Sequence, residues 1–433
     1  MKIAFIGAGY VGLVSAVGYA LAGNDSVCIE IDERKIAQIN GGKAPIYEGG
    51  LDDALLKLTR DGKLLATSDY NGIASAQAIF ICVGTPSAQD GSIDLRYIED
   101  SCAKIASILP KMKGYPIVVV KSTVIPGTTS GLVKGILEKG SKLRAGRDFG
   151  LAMMPEFLRE GTALADFKHP DRIVIGTMDE KTRKVLMGLH SKFPGEKLIV
   201  SPSAAEMIKY ASNSFLATKI SFVNQLALLC EKTGIDVDDV ARGMGLDNRI
   251  AMPFLRAGPG FGGSCFPKDV RALMHFSGKE GVEPTILESV MLVNSLQPLW
   301  LIGAAQEKMP LKGKTICILG LAFKPDTDDV RESPAIPVIS QLLKMGCKVL
   351  AYDPKGMANF KKLFPKLDYA NSMDDALKGA DACMIITDWK EFKKPIAHYE
   401  RLMKNPLILD SRRILDPKTA ITASYISLGR GIA

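Results

Sequence analysis

The chain has 433 residues, of which 47% are hydrophobic and 24% are charged. This length exceeds what one hydrophobic core usually supports, so we expect two or three domains of an ordinary globular protein. The net charge of +8 comes without a long Lys/Arg block, which argues against nucleic acid as a partner and favours a small anionic molecule.

The cysteines and histidines do not have metal-binding spacing. Eight cysteines occur without a CxxC pair, and there are only four histidines. We therefore expect no metal site, and this cysteine usage is typical of a protein in a reducing cytoplasm.

The N-terminal stretch 3–23 is uncharged and long enough to imitate a membrane span, but it contains five glycines. Gly7, Gly9 and Gly12 directly follow the apolar run KIAFI. This spacing indicates the strand-to-helix turn of a dinucleotide-binding βαβ unit, so we expect neither a signal peptide nor a membrane segment.

An acidic residue follows at the distance that this unit requires. Glu30 ends the second apolar run, 18 residues after Gly12, where a carboxylate would accept the ribose hydroxyls. Asp32 is the second candidate, and either acid could also be a solvated residue at a strand end. A carboxylate there repels a 2′-phosphate, so the pattern favours NAD over NADP.

Apolar runs alternate with helical patterns through about the first 200 residues, which predicts a parallel sheet covered on both faces. The predicted strands are 2–6, 27–31, 79–83, 116–120 and 172–176. Residues 1–200 are therefore predicted to form an NAD-binding Rossmann-like domain.

Polar residues follow the ends of these strands, at the edge where open α/β sheets bind ligands. Thr85 in VGTP and Thr123 in KSTV have such positions, although both could be turn hydroxyls or helix caps. In PEFLREG, Glu156 and Glu160 are four residues apart, which would place them on one face of a helical turn. Paired acids there could hold a water molecule, or could form a solvated surface.

A long helical pattern begins near residue 203 and continues to about Gly234. Ser203 and Glu206 have the spacing of a capping box. Further helical sequence extends to about residue 308, which predicts a central helical dimerisation domain over 201–308. Lys209 and Asn213 share one face of the long helix and could stabilise an oxyanion, although a helical lysine is normally a surface residue.

The stretch FGGSCFPKD at 261–269 surrounds one cysteine with turn residues and charges. A cysteine usually packs as a small apolar residue. Here, however, Lys268 and Asp269 follow Cys265 closely, and such neighbours activate a thiol and assist proton transfer. Cys265 is therefore a candidate nucleophile.

The chain then repeats its opening pattern, because KTICILG at 314–320 and CKVLAYDP at 347–354 resemble the first two strands. Residues 309–433 are predicted to form a second Rossmann-like domain, and its first residues, 309–314, have the composition of a linker. Gly9 has no glycine counterpart in this repeat, since Ala322 is found there. The second domain is therefore expected to bind a ligand other than a dinucleotide.

Taken together, the motifs resemble those of the UDP-glucose/GDP-mannose dehydrogenase family. They cover nearly the whole chain in the family's order: GAGYVG, IYEGGL, VGTP, KSTV, PEFLREGTA, EMIKYASNSF, GLDNRI, GFGGSCFPKD, LAFKPDTDDVRESP and DSRRILDP. The resemblance implies an α/β fold of two Rossmann-like parallel-sheet domains joined by a long central helix and a helical domain. It also implies that two NAD+ oxidise a nucleotide-sugar alcohol twice to the acid.

The resemblance assigns roles to the candidate residues. Cys265 would capture the aldehyde as a thiohemiacetal, whose oxidation gives a thioester that water hydrolyses. Lys209 and Asn213 would stabilise the oxyanion, and Asp269 would handle protons together with Lys209. The remaining catalytic candidates are two residues that would hold the water and one close to both ligands: Thr123, Glu156 and Glu160.

Two binding sets follow from the same resemblance. The cofactor set consists of Gly7, Gly9, Tyr10, Val11, Gly12, Glu30, Lys35, Thr85, Thr123, Glu160, Lys268 and Arg331. The substrate set consists of Phe157, Leu158, Lys209, Asn213, Arg249, Phe254, Leu255, Phe261, Gly262, Phe323, Lys324 and Arg412. Arg249 resembles a residue that reaches the neighbouring subunit's substrate, which implies a homodimer or a higher homo-oligomer.

Three positions depart from the family pattern: Gly49 replaces proline, Met154 replaces asparagine, and Ser411 replaces glycine. UDP-glucose is the expected substrate, with GDP-mannose or a UDP-N-acetylhexosamine as alternatives. A nucleotide-sugar-binding protein without activity is a further alternative, but it would need no nucleophile.

Overall fold

The computed structural model describes residues 1–88 and 90–430. Contacts between Cα atoms divide the chain into two compact units, Met1–Ser212 and Asn213–Ala433. The division lies inside one long helix, so the predicted three domains, with boundaries at 200 and 308, remain a prediction.

The N-terminal unit is built on eight strands. Their bounds are β1 Lys2–Ile6, β2 Asp25–Ile29, β3 Leu64–Thr67, β4 Ala78–Ile81, β5 Ile117–Val120, β6 Gly150–Met153, β7 Arg172–Thr177 and β8 Glu196–Val200. The helices of this unit are α1 Tyr10–Leu21, α2 Glu33–Asn40, α3 Leu51–Arg60, α4 Arg96–Ile108, α5 Lys134–Ser141, α6 Ala163–Lys168 and α7 Glu180–Leu189.

The strands form one sheet in the order β3-β2-β1-β4-β5-β6-β7-β8. Neighbouring strands are parallel except β6 and β7, which pair antiparallel through Ala152 with Thr177. The prediction of a purely parallel sheet is therefore wrong at this pair, because strand direction depends on the connection and not on the apolar pattern of the strand itself. The order reverses between β1 and β4, and open α/β sheets bind ligands at such a switch point.

Alternating side chains fill both faces of this sheet. Ile3 and Phe5 pack in one core cluster, whereas Ala4 and Ile6 pack in the other. The period of two residues along a strand produces this division, and burial on both faces explains the continuous apolar runs in the sequence.

The long helix α8 spans Pro202–Thr233, as the sequence predicted. The predicted capping box at Ser203 is wrong, because the hydroxyl of Ser201 accepts the bond from the amide of Ala204 at 3.2 Å. Proline at the first helical position makes Ser201 the cap, two residues before Ser203. The carboxylate of Glu206 instead accepts the amides of Gly127 and Thr129, at 2.6 and 2.8 Å.

The C-terminal unit contains four more helices before its sheet: α9 Val237–Gly245, α10 Phe266–Lys279, α11 Thr285–Leu296 and α12 Trp300–Gln306. The six-stranded sheet is parallel throughout, in the order β11-β10-β9-β12-β13-β14. Its elements are β9 Thr315–Leu319, α13 Ala335–Lys344, β10 Lys348–Tyr352, α14 Met357–Leu363, β11 Asp368–Tyr369, α15 Met373–Leu377, β12 Ala382–Ile385, α16 Ile396–Leu402, β13 Leu407–Asp410 and β14 Ser424–Ser427.

The first turn of this second sheet is closed by a side chain of the protein itself. The carboxylate of Asp353 accepts the amides of Leu321 and Ala322 at 2.7 and 2.9 Å, and it is fully buried. Glu30, at the end of β2, accepts the amide of Ala8 in the same way. The two first turns therefore share this contact, and the ligand of the second domain stays a prediction on this ground.

One helical stretch in the described residues, Thr285–Gln306, is long and apolar enough to cross a membrane, with a mean hydropathy of 1.3. Only 28% of its apolar window is buried. The uncharged N-terminal stretch, in contrast, forms β1 and the 12-residue helix α1.

Candidate active site

The glycine turn after β1 has the geometry of a phosphate-binding turn. Gly7 has φ +91°, and a Cβ on Gly12 would lie 1.9 Å from the carbonyl oxygen of Gly7, so both positions require glycine. A Cβ on Gly9 would meet nothing within 4 Å, and no side chain caps the first turn of α1. The turn therefore offers open space and uncapped amides to a pyrophosphate.

The side chain of Glu30 is hydrogen-bonded to the backbone of this turn. Its carboxylate is buried and accepts the amides of Ala8 at 3.1 Å and Ile31 at 2.8 Å. Lys35 lies 3.9 Å away from the same carboxylate. Asp32 caps α2 instead, accepting the amide of Arg34 at 3.0 Å. The geometry thus favours Glu30 over Asp32 as the ribose ligand, and these residues fit NAD.

Glu48 is a site residue that the sequence reasoning did not single out. The hydroxyl of Tyr10 donates to its carboxylate, which also accepts the amide of Gly161 at 2.8 Å. Burial, together with Glu48, raises the pKa of Tyr10. Glu48 thereby ties the start of α1 to the PEFLREG loop, and its position in the motif IYEGGL was the available signal. Val11, next to Tyr10, is half-buried.

The two threonines at the strand ends contact each other. The hydroxyl of Thr85 donates to the carbonyl of Thr123 at 2.9 Å. Thr85 is buried and Thr123 is half-buried. The Thr85 hydroxyl therefore joins the loops after β4 and β5, and contacts of these residues with ligands stay a prediction.

The predicted helical pairing of Glu156 with Glu160 is wrong, because residues 154–159 have no regular secondary structure. Instead the buried ammonium of Lys209 donates to the carboxylate and to the carbonyl of Glu156, both at 2.7 Å. The second carboxylate oxygen accepts the amide of Leu158 at 2.6 Å. Glu160 is half-buried.

The ionisation of Glu156 is set by two opposing effects. Burial raises its pKa, but the charge and hydrogen bond of Lys209 and the amide of Leu158 outweigh burial, so that the pKa is lowered overall. Glu156 is therefore a carboxylate at neutral pH. Phe157 follows it, with the guanidinium of Arg172 lying 3.9 Å from the ring centroid.

In the C-terminal unit, Cys265 occupies the N-cap position of α10. The other seven cysteines are buried, whereas Cys265 is half-buried, and the hydroxyl of Ser264 lies 3.5 Å from its sulfur. The N-terminus of a helix carries a partial positive charge that attracts anions. The structure thus places one accessible thiol where negative charge is favoured.

Asp269 lies one turn further along α10 and is almost fully buried. Its carboxylate accepts a 2.6 Å hydrogen bond from the side chain of Asn213 and forms an ion pair with Lys268. The structure therefore brings the amide of Asn213 and the ammonium of Lys268 to Asp269, whereas the ammonium of Lys209 is bound to Glu156.

The two glycines before Cys265 allow the loop at 323–332 to approach closely. A Cβ on Gly262 would lie 2.2 Å from the carbonyl oxygen of Glu332, and one on Gly263 would lie 2.8 Å from the ring of Phe323. The amide of Gly263 donates to the carbonyl of Arg331 at 2.8 Å. The glycines therefore allow a close contact between the turn at 261–265 and the loop at 323–332. This contact holds Phe323 beside the turn that carries Cys265.

The other members of the substrate set are distributed around this turn. Phe254 has φ +68°, an uncommon conformation for a bulky residue, and its ring centroid lies 6.1 Å from that of Phe266. Phe261 is buried, with its amide bound to the side chain of Asn294 at 2.7 Å. Leu255 is buried and packs in the core.

Four further candidates carry charge. The side chain of Arg249 is 89% exposed and pairs with Asp247. Arg331 is exposed and pairs with Asp329, while Lys324 lies 5.6 Å from the ring centroid of Phe323. Arg412 donates to the carbonyls of Ile386 and Phe323, at 2.7 and 3.3 Å, and burial lowers its pKa.

The hydroxyl of Ser411 is fully buried and donates to the carbonyl of Ile385 at 2.6 Å. Ser411 therefore does not project towards a ligand, although it replaces the family's glycine. Within the described residues, no group of three or more metal-ligating side chains occurs.

The chain is similar to known proteins over its whole length. Three family models match it: the NAD binding domain of the UDP-glucose/GDP-mannose dehydrogenase family at residues 1–194, the central domain at 203–296 and the UDP binding domain at 317–417. The UDP-glucose 6-dehydrogenase YwqF of Bacillus subtilis is 44% identical, with 99% of this chain and 98% of the relative covered. The UDP-glucose 6-dehydrogenase AglM of Haloferax volcanii is 42% identical, with 96% of this chain and 97% of the relative covered.

Solved structures agree with these matches. A UDP-glucose dehydrogenase from Pyrobaculum islandicum superimposes with a TM-score of 0.93 at 37% identity, covering 100% of this chain and 98% of the other. A UDP-D-ManNAc dehydrogenase from Pyrococcus horikoshii superimposes with a TM-score of 0.87 at 29% identity, and both chains are covered to 100%. The chain therefore belongs to the UDP-glucose/GDP-mannose dehydrogenase family and is an NAD-dependent oxidoreductase that acts on a nucleotide sugar.

Proposed function

We propose that this protein oxidises UDP-glucose to UDP-glucuronate in two steps, through a covalent intermediate on Cys265. The observation that carries the proposal is the position of this half-buried thiol at the start of α10, one turn before the buried Asp269. A protein that only binds nucleotide sugars has no use for an accessible nucleophile with an acid and a cation beside it.

Bound NAD+ supplies the hydride acceptor, and a separate molecule is needed for each of the two oxidations. In the first oxidation, the C6 hydroxyl loses its proton and carbon 6 loses a hydride, which leaves an aldehyde. The sulfur of Cys265 then bonds to carbon 6, and the proton of the thiol passes to a nearby base. Loss of the second hydride gives a thioester. Water adds to it, the C–S bond breaks, and the thiol and the sugar acid are released.

The buried polar side chains could stabilise the charges that develop in these steps. Lys209 and Asn213, four residues apart on α8, would stabilise the oxyanion that develops at carbon 6. Glu156, held as a carboxylate by Lys209, would hold the hydrolytic water together with Thr123. Asp269 would accept protons, and it is positioned for this by its bond from Asn213.

UDP-glucose is the substrate named for the two curated relatives above. A UDP-N-acetylhexosamine is the alternative, because two solved relatives, at 29% and 26% identity, are a UDP-D-ManNAc dehydrogenase and a UDP-N-acetyl-mannosamine dehydrogenase. GDP-mannose is a further alternative, named for a relative of 31% identity.

The experiment is incubation with NAD+ and each of these nucleotide sugars, measuring NADH formed and sugar consumed. The proposal predicts two NADH per UDP-glucose and slower turnover of the other sugars. One NADH per sugar, with free aldehyde accumulating, would contradict the two-step reaction.

We also propose that the protein forms a homodimer through its central helices. Phe215, Phe222 and Leu229 repeat every seven residues along α8, and their side chains are exposed by 66, 51 and 59%. Such a stripe of apolar residues is typical of a helix that packs on another helix. Ile286, Leu292 and Leu296 extend the exposed apolar surface onto α11.

Phe222→Asp should shift the protein to monomers in sedimentation velocity, because a carboxylate in an apolar interface loses its hydration. Leu363→Asp is the matched control, since Leu363 is exposed on α14, away from the stripe along α8. Equal sedimentation of both variants and the wild type as dimers would contradict an interface at Phe222.

A further inference from the structure

Lys121 is a buried lysine directly after β5 and belongs to none of the candidate catalytic, cofactor or substrate sets. Its side chain is only 7% exposed, and it lines a cavity of about 90 Å³ in the N-terminal unit. Among residues 1–88 and 90–430, its ammonium forms no hydrogen bond or ion pair. An ammonium carries three donors, and burial without a partner is costly, so this position requires an explanation.

The neutral groups of the cavity do not provide a counter-charge. The hydroxyl of Tyr19 lies 2.6 Å from Nε2 of His190, whose Nδ1 lies 2.7 Å from the carbonyl of Leu186. Burial lowers the pKa of His190 to about 4, and the charge of Lys121 contributes to this. His190 is therefore neutral at neutral pH, and both of its ring nitrogens are engaged.

The other ionisable groups that line the cavity are paired, stacked or exposed. Arg159 and Asp166 form an ion pair at 2.5 Å, and Arg172 lies over the ring of Phe157. His169 and Asp171 are exposed, so water screens their charges.

Glu156 remains as the buried anion that Lys121 faces. It lines the same cavity and is bound by the ammonium of Lys209, whereas Lys121 acts on it through its charge, from beyond ion-pair distance. Charges attract one another beyond hydrogen-bond distance where water is excluded. Burial lowers the pKa of Lys121, while Cys82 and Glu156 act in the opposite direction and Lys209 adds to the lowering.

We propose that Lys121 is a positioning residue: it keeps Glu156 ionised and in place during the steps in which Lys209 has given up its proton. This inference rests on the proposed function, because it takes Lys209 as a group that exchanges protons. Without Lys121, a neutral Lys209 would leave a buried carboxylate with no counter-charge. Such a carboxylate takes up a proton and can no longer orient a water molecule as an acceptor.

The test compares Lys121→Met with Lys113→Met, which removes the charge of an exposed lysine in the same unit. The first measurement is the pH dependence of kcat with saturating UDP-glucose and NAD+. The acid limb of Lys121→Met should move to higher pH by about one unit, and that of Lys113→Met should not move. Lys121→Gln should behave like Lys121→Met, because it restores hydrogen bonding but not charge.

The second measurement does not depend on activity. Infrared spectra of the ligand-free protein, with Glu156→Gln subtracted, follow the protonation of Glu156 directly. In Lys209→Met, Glu156 should titrate at lower pH than in the double variant Lys209→Met with Lys121→Met. If Lys121→Met does not fold, Lys121→Gln serves in both measurements.

An unchanged acid limb, or an equal loss of kcat at every pH, would overturn the inference, because a merely structural role has that effect. Equal titration of Glu156 with and without Lys121 would overturn it as well. If the protein oxidises none of the nucleotide sugars, the proposed function fails, and the infrared comparison still tests whether Lys121 governs the charge of Glu156.

Discussion

Asn213 donates a 2.6 Å hydrogen bond to the carboxylate of Asp269, and both side chains are more than nine-tenths buried. The two residues are 56 positions apart in the sequence. This bond connects α8 to α10, the helix whose N-cap is Cys265. It therefore makes the position of Asp269 depend on the long helix α8.

Asn213→Ala should lower both stability and activity. A buried carboxylate that loses a donor costs roughly 1–3 kcal/mol, so the free energy of unfolding in urea should fall by about that amount. Asn405→Ala is the control, because its bond to Asp381 is longer, at 3.3 Å, and only partly buried. An equal fall in the free energy of unfolding in the two variants would show that the Asn213 hydrogen bond stabilises the fold no more than the longer, partly buried bond of Asn405.

Gly263→Ala should be destabilising, because Gly263 has φ +81° and a Cβ there would lie 2.8 Å from the ring of Phe323. The expected loss is about 1–3 kcal/mol, together with weaker binding of UDP-glucose as the loop carrying Phe323 is displaced. Calorimetric titration and urea denaturation measure the two effects.

Gly278→Ala is the matched control for this substitution. Gly278 lies within α10, and a Cβ there would meet nothing within 4 Å. Alanine should stabilise this position by about 0.5–1 kcal/mol. A destabilised Gly278→Ala would indicate that the effect of Gly263→Ala does not come from its close contact.

The acid sensitivity of the fold should depend partly on Glu156. Its pKa in the folded protein is lowered from the ordinary value of 4.5, so its ionised form adds stability above that pH. This contribution is lost as the pH falls through the folded pKa. The stability difference between wild type and Glu156→Gln should therefore be constant above about pH 5 and decrease below it. A difference that grows on acidification would contradict the lowered pKa.

The sequence predicted five strands of the N-terminal sheet, because their apolar runs are continuous. β4 and β5, with the sequences AIFI and IVVV, are buried on both faces. β3, β6 and β8 were missed: β6 is buried but is a short run that begins with glycine, whereas β3 and β8 include exposed residues. The antiparallel pairing of β6 with β7 was also missed, since no residue of either strand encodes its direction.

The candidate site shows the same limit. Lys209 and Asn213 were correctly placed on one helix face, because helical spacing is local. Glu156 and Glu160 were placed wrongly, because a helical spacing was assumed for a loop that contains Pro155. Glu48 and Lys121 could not be identified from spacing, since Glu48 acts on Gly161, 113 residues away. Contacts of this length depend on the tertiary fold.

The covalent role of Cys265 gives the strongest test of the proposed reaction. Cys265→Ser keeps the shape of the side chain but replaces the thiol with a hydroxyl that is hardly ionised near neutral pH. Thioester formation should be lost, while UDP-glucose and NAD+ still bind, and kcat should fall by several orders of magnitude, because the groups of such a site act together.

Wild-type enzyme, quenched with acid during turnover, should carry a sugar adduct on Cys265 in a tryptic digest. The seven buried cysteines are internal controls in the same digest and should remain unmodified. Ser264→Ala is a further control, because it removes the hydroxyl 3.5 Å from the sulfur and leaves the thiol in place. Turnover of Cys265→Ala within about tenfold of wild type, a barrier change of roughly 1.4 kcal/mol, would exclude an obligatory covalent step.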